Sequence, residues 1–276
     1  MQVNGFNSKA AAIRHLKAAG FNFSALLSAP ESNPKLAKNG KLDVLSAPLH
    51  LAPFNLSGFN VCAQASPGCS NACIHYQGNP AYMEQKDKSR KEKTRAYFLE
   101  RDAFLAVLVF EIAALKRKAE SRDMQCAVRL NATSDLPFEK RRVNIDGVEF
   151  GLMDYFADVQ FYDYTKITKR AIAWAKGDMP NNYHITFSRT ESNDSDVARV
   201  LESGGNVAIV FSAPMAKELV AKGSAPWHIP AFGHTAQIAV ADGDSHDYRP
   251  ADPRGCIVAL KAKGDARKDT SGFVIR

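Results

Sequence analysis

Three cysteines fall within twelve residues, in the stretch VCAQASPGCSNACIHYQGN: Cys62, Cys69 and Cys73, spaced Cys-x6-Cys-x3-Cys. Thiolates are soft donors that favour zinc, copper(I) or iron–sulfur clusters. A structural zinc ion needs four ligands. His75 is near, but two residues after Cys73 it is cramped as a fourth ligand on the same ion. Three thiolates on a four-iron cluster leave one iron open to a small molecule. Three readings follow: iron–sulfur, zinc, or cysteines that are only small core side chains. Cys126 and Cys256 each open an apolar strand and fit the last class. A total of five cysteines, three of them clustered, argues against an evenly paired secreted framework.

Other polar residues sit where strands should end. Asn131, Thr133, Ser134 and Asp135 follow one strand, and read equally as a ligand contact or as a turn with a helix cap. Asp163 and Lys166 lie in FYDYTK. A carboxylate on an apolar strand is costly to bury unless paired, which gives Asp163 either a substrate role or a structural ion pair with Lys166 or Arg189. Ser188 and Arg189 end a further strand, and an arginine's forked donors suit a carboxylate. Asp244 follows another strand, in ADGDSHDYRPADPRG, whose Asp-Gly and Asp-Pro pairs are turn dipeptides. No phosphate loop, dinucleotide fingerprint, nucleophile elbow or zinc-protease motif is present.

The elements that must position these residues alternate along the chain. Apolar runs at 46–52, 126–131, 159–165, 183–188, 206–212, 235–244 and 256–262 read as strands. Amphipathic stretches at 82–120, 166–176, 194–203 and 214–222 read as helices, with Phe104, Leu108, Ile112 and Leu115 on one face of the first. Alternation of this kind predicts parallel strands with right-handed crossovers. The expectation is an α/β fold, a partial or full (β/α) barrel of TIM type over 45–276, with a cysteine-rich loop at 53–80. Residues 1–44 form an N-terminal extension, with a short helix capped by Ser8 and stopped by Gly20. An open doubly wound sheet is the competing architecture.

The chain of 276 residues carries 36 Lys and Arg against 29 Asp and Glu, a net charge of +7. A basic excess suits a polyanionic partner or a phosphorylated substrate. KDKSRKEKTR (86–95) concentrates six basic residues beside the cysteine loop, either to hold a phosphate backbone or as a solvated helix face. No apolar run reaches the ~18–20 residues that span a bilayer, and the N-terminus has no signal-type apolar core. A cytoplasmic protein without a membrane partner is expected.

Three cysteines after the first barrel strand and before a long helix resemble the cluster loop of radical S-adenosylmethionine enzymes, although both gaps are longer than the common Cys-x3-Cys-x2-Cys. CAQASPGCSNAC, with Ser-Pro-Gly before its second cysteine, also resembles the motif of a phage- and prophage-encoded family of unassigned function. RLNATSD, FYDYTK, GNVAIVF and KAKGDARKDTSGFV resemble the same family. The radical-enzyme resemblance implies a [4Fe–4S] cluster on Cys62, Cys69 and Cys73, with S-adenosylmethionine on its open iron. It implies cofactor contacts at Asn131, Asp135, Ser188 and Arg189, and substrate contacts or catalysis at Asp163, Lys166 and Asp244. The substrate class would be a nucleic acid or nucleotide, in host cytoplasm if the chain is phage-encoded. Two readings compete: a nucleic-acid-binding protein with a structural zinc loop, and a metal-free barrel hydrolase using the acidic strand ends.

Overall fold

The computed structural model describes residues 1–30, 38–76, 84–229 and 234–276. Positions 77–80 of the expected cysteine loop and 82–83 of the expected helix lie outside the described residues. The elements are α1 (Lys9–Ala18), β1 (Val44–Pro48), α2 (Pro67–Asn71), α3 (Glu84–Leu99), α4 (Arg101–Glu120), β2 (Gln125–Arg129), β3 (Arg142–Ile145), β4 (Val148–Gly151) and α5 (Leu152–Tyr155). They continue with β5 (Gln160–Thr165), α6 (Thr168–Lys176), β6 (Tyr183–Ser188), α7 (Asp194–Glu202), β7 (Asn206–Phe211), α8 (Ala213–Lys222), β8 (Ser224–Ile229), β9 (His234–Asp242) and β10 (Ile257–Lys261). The fold is mixed α/β. Its eight-stranded sheet has the order β1-β2-β5-β6-β7-β10-β9-β8, and β8 runs antiparallel to β9. The chain divides into two compact units: residues 1–63, 79–161 and 180–183, and residues 64–78, 162–179 and 184–276.

In the first unit, β1 pairs in parallel with β2, Val44 opposite Gln125, and β2 continues onto β5 through Ala127 and Val128. All five residues of β1 are buried, as a strand covered on both faces requires. The core is the apolar face of α4, where Phe104, Leu108 and Ile112 are fully buried. Each such side chain contributes ~1.5–3 kcal/mol by leaving water. Residues 1–27 are built into this unit. Val3 bridges to Ile145, and Ser8 caps α1 by accepting from the Ala11 N–H at 3.2 Å. The buried Glu111 carboxylate accepts the Leu26 and Leu27 N–H groups and pairs with Lys9 Nζ at 2.7 Å.

The single helix expected at 82–120 is two helices. Glu100 leaves the helical region at φ −132°, ψ 52°, and its carboxylate meets His15 Nε2 of α1 at 2.8 Å. An unbroken helix of that length would run ~58 Å, longer than one compact unit can cover. A β3–β4 hairpin also appears, turning through Asp146 (φ 49°) and Gly147 (φ 90°). Asp-Gly is the pair that a tight hairpin turn with two positive φ angles demands.

In the second unit, β6, β7, β10 and β9 pair in parallel, and β8 adds an antiparallel edge that the sequence reading lacked. α6 and α8 each end on a left-handed glycine, Gly177 and Gly223. The connection from β9 to β10 buries Arg249 completely, and its Nη1 pairs with Asp252 Oδ2 at 3.1 Å. Burial pushes Asp252 up to about 6 against the pull of Arg249. Burial, aided by Arg249 and Arg254, takes His184 at the start of β6 down to about 3.

Candidate functional site

Cys62 belongs to the first unit. Its N–H donates to Asn60 Oδ1 at 2.8 Å, and its thiol lies 3.7 Å from the Thr133 carbonyl. The loop after β2 straps this segment down. Thr133 Oγ1 donates to the Leu51 carbonyl at 2.6 Å, and the Asp135 N–H donates to the Val61 carbonyl at 2.8 Å. Cys62 and the 131–135 segment are therefore brought together. Asn131 is buried and organises its own loop. Its Oδ1 accepts from Ser134 Oγ and the Leu136 N–H, both at 2.8 Å, and its Nδ2 donates to the Leu136 carbonyl. An Asn that shapes a turn in this way does what its type does in turns generally.

Cys69 and Cys73 belong to the second unit. Ser66 caps the short helix α2, accepting the Cys69 N–H on Oγ at 3.1 Å. The same hydroxyl donates to Glu191 Oε2 at 2.6 Å, and Glu191 Oε1 accepts the Gly68 N–H at 2.8 Å. One carboxylate thus holds the Ser-Pro-Gly turn from both sides. Burial raises the Glu191 carboxyl, but the bonds from Ser66 and Gly68 outweigh this and leave it below the usual range. Gly68 has no room for a side chain. A Cβ there would sit 2.4 Å from Ser271 Oγ, 2.7 Å from Phe273 Cβ and 2.8 Å from Glu191 Oε2.

The C-terminal segment completes this cradle. Phe273, Val274, Ala262, Ala266 and Ala72 form a small core against which Cys69 packs. Arg189 fixes that segment. Its Nη1 donates to the Gly272 carbonyl at 2.5 Å, while its Nε and Nη2 grip the two oxygens of Asp194. Asp269 accepts from Ser271 Oγ at 2.6 Å and from the Val274 N–H at 3.0 Å. Nε, Nη1 and Nη2 of Arg189 are all engaged, and its observed task is to hold the 272–273 backbone.

Cys69 lies within α2, and Cys73 follows its C-cap residue, Ala72. Both are half-buried. Cys126 and Cys256 are buried, and burial pushes each thiol up to about 12. These two are inert core residues, as their place at strand starts suggested.

The remaining candidates are spread along the strand ends of the second unit. Asp163 is 1% exposed on β5. Lys166 follows β5, beside Thr165, whose Oγ1 accepts the Ile167 N–H at 3.0 Å. Ser188 ends β6 opposite Ala208, and its carbonyl accepts from Asn193 Nδ2. Asp244 accepts the Lys261 N–H at 2.9 Å and Lys263 Nζ at 2.5 Å, stapling the end of β9 to β10. Sequence reading missed Glu191. No motif marks it, and only its place three residues beyond a strand end could have drawn notice.

Among the described residues, no three His, Cys, Asp or Glu side chains are grouped to hold a metal ion. Among the described residues, no helix is long and apolar enough to cross a membrane. A family model described as Gene product 88 matches residues 25–276. No curated protein and no solved structure matches the chain.

Proposed function

The chain belongs to the Gene product 88 family, of phage type and unknown function, and we propose that its cysteine segment is a thiolate metal centre. One observation carries this reading. Two thiols are buried and inert, while Cys69 and Cys73 are kept half-exposed, on and just after a short helix whose start Glu191 holds. A held turn that keeps its thiols partly exposed, Cys69 with one side against the Phe273 cluster, supports a role in ligation. Cys62, on a segment strapped by the 131–135 loop, is the third donor. Metal sites seldom pre-exist their metal, and binding itself supplies free energy that forms them.

The finer form of the proposal is an iron–sulfur centre of radical S-adenosylmethionine type in a partial (β/α) barrel. Strand order supports the architecture. β1, β2, β5, β6 and β7 are neighbours in chain order, as barrel strands are, and the order turns back only at the far edge, β10-β9-β8. The strand ends supply polar groups, with Asp163 and Lys166 the candidates for substrate contact. Asn131 and Arg189 would act by holding their loops, since their donors are spent on the chain itself. The ligand set is not assembled, and no reaction step is assigned to the centre.

Anaerobic purification with iron, sulfide and zinc analysis tests this. About four irons and four sulfides per chain, with absorption bleached by dithionite, are expected. One zinc and no iron would establish the zinc loop and remove the radical-enzyme form. A chain free of metal after reconstitution would overturn the proposal.

A further inference from the structure

Helix α3 carries most of the basic run, and its residues divide by face. Thr94, Ala96 and Tyr97 are buried. Glu92 accepts the Asn22 N–H at 2.9 Å, and Lys93 Nζ donates to the Leu26 carbonyl at 3.2 Å. Lys86, Asp87 and Arg90 are also engaged. This part of the run is a tied structural face.

Lys88, Lys91 and Arg95 differ. They are exposed, and their side chains make no ion pair or hydrogen bond with a described residue. Their spacing of three and four residues sets them on one stripe of the helix. The same spacing continues to Phe98 and Leu99 in the last turn. From Lys88 to Leu99 the stripe runs ~16 Å. Glu84 and Asp87 add negative charge at its first turn, and Glu92 flanks it with its carboxylate turned to the Asn22 N–H.

At the end of the stripe lies an aromatic platform. The Phe98 ring stacks on Phe59, centroids 4.4 Å apart and planes 7° apart, and both residues are only half-buried. Leu99 is 54% exposed beside Phe98, and Leu56 on the Phe59 segment is 37% exposed. The exposed Arg101 guanidinium lies 5.1 Å from the buried Tyr97 ring. A row of free cations leading to an aromatic surface is the combination that binds single-stranded nucleic acid, phosphates along the cations and bases against the rings. A duplex would use the cations and leave the rings idle. A membrane helix needs an apolar stripe along its length, and here apolar residues occupy only the last turn.

We infer that the outer face of α3, with Phe59, is a binding surface for single-stranded nucleic acid. Lys88, Lys91 and Arg95 take successive phosphates, and the Phe98–Phe59 pair takes a base. This surface does not depend on the metal reading.

Anisotropy titration of the full chain with a labelled oligo(dT) or oligo(U) of ~20 nucleotides tests it. Single strands should bind more tightly than a duplex of equal length, with affinity falling steeply between ~50 and ~200 mM salt. The triple variant Lys88→Gln, Lys91→Gln, Arg95→Gln should weaken binding at least about tenfold and reduce the salt slope by about 2. Phe98→Ala should weaken it about tenfold at unchanged salt slope. Phe98→Leu keeps apolar volume, removes the ring, and should lose nearly as much. Lys217→Gln, an exposed charge on α8, should change nothing. Circular dichroism confirms folding of each variant. No binding at low salt, equal binding by the triple variant, preference for duplex, or binding to phosphatidylserine vesicles in place of oligonucleotides would each overturn the inference.

Discussion

Cys69 and Cys73 share a residue type with Cys126 and Cys256, and little else. The first pair sits half-exposed on a turn fixed by Ser66, Gly68 and Glu191. The second pair starts β-strand runs in apolar surroundings, and burial pushes both thiols up to about 12. At pH 8 such a thiol is ionised to only about one part in ten thousand. The contrast teaches that thiol chemistry here is assigned by backbone context. Conserving a thiol inside a strand needs packing alone, whereas presenting one at the surface needs a clamp.

The largest effect expected from breaking that contrast is at Gly68. Gly68→Ala forces a Cβ against Ser271, Phe273 and Glu191. It should cost ~1–3 kcal/mol in urea unfolding, the range for overpacking. It should also expose the 272–274 segment to proteolysis. An unchanged midpoint would mean that the cradle is loose.

Next are the thiols themselves. Cys256→Ser buries a hydroxyl among Ala208 and Val258 and should cost ~1–3 kcal/mol. Cys73→Ser, half-exposed, should stay within ~0.5 kcal/mol. Native labelling with a disulfide reagent at pH 8 should modify Cys69 and Cys73 and leave Cys126 and Cys256 until the chain unfolds. Equal labelling would erase the distinction.

Glu191→Gln should cost ~0.5–1.5 kcal/mol at neutral pH, since an amide replaces a carboxylate that accepts two hydrogen bonds. The sign with pH follows from its lowered carboxyl. Its contribution is present above the unfolded carboxyl range and is lost as pH falls through the folded value. The variant should therefore show a shallower acid limb.

The effect spread over the widest pH range concerns His184, lowered to about 3. The unfolded histidine takes up a proton before the folded one, so this group destabilises the fold progressively as pH falls from about 6.5 to about 3. Asp252, raised to about 6, opposes it, because the folded carboxyl holds its proton to higher pH and stability falls from about 4 to about 6. His184→Gln should lose less stability than the wild type as pH falls from about 6.5 to about 3. A profile identical to the wild type would place the acid limb elsewhere.

Much of this was legible in the sequence. Strands such as NVAIVFS announce themselves because they are buried on both faces, and α1 carries its Ser8 cap and Gly20 stop in plain view. The break at Glu100 was not legible, since it depends on His15, 85 residues away. Nor was β8, whose Pro226 weakens a strand reading and is tolerated at an edge. At the candidate site, cysteine spacing singled out the segment, while nothing in the sequence marked Glu191 as the group that holds its turn. Arg189 and Asp244 looked like ligand contacts, but their visible partners are the chain's own carbonyls, carboxylate and lysine. Residue type names a capability, and only the fold shows which groups have already used it.

The most direct test compares metal content in two double variants prepared anaerobically alongside the wild type. Cys126→Ala with Cys256→Ala, both in the buried class, should retain the wild-type iron and sulfide. Cys69→Ala with Cys73→Ala should lose both while keeping the wild-type circular dichroism spectrum. Equal metal in the two variants, or none in the wild type, would contradict the assignment of the clamped thiols as the metal centre.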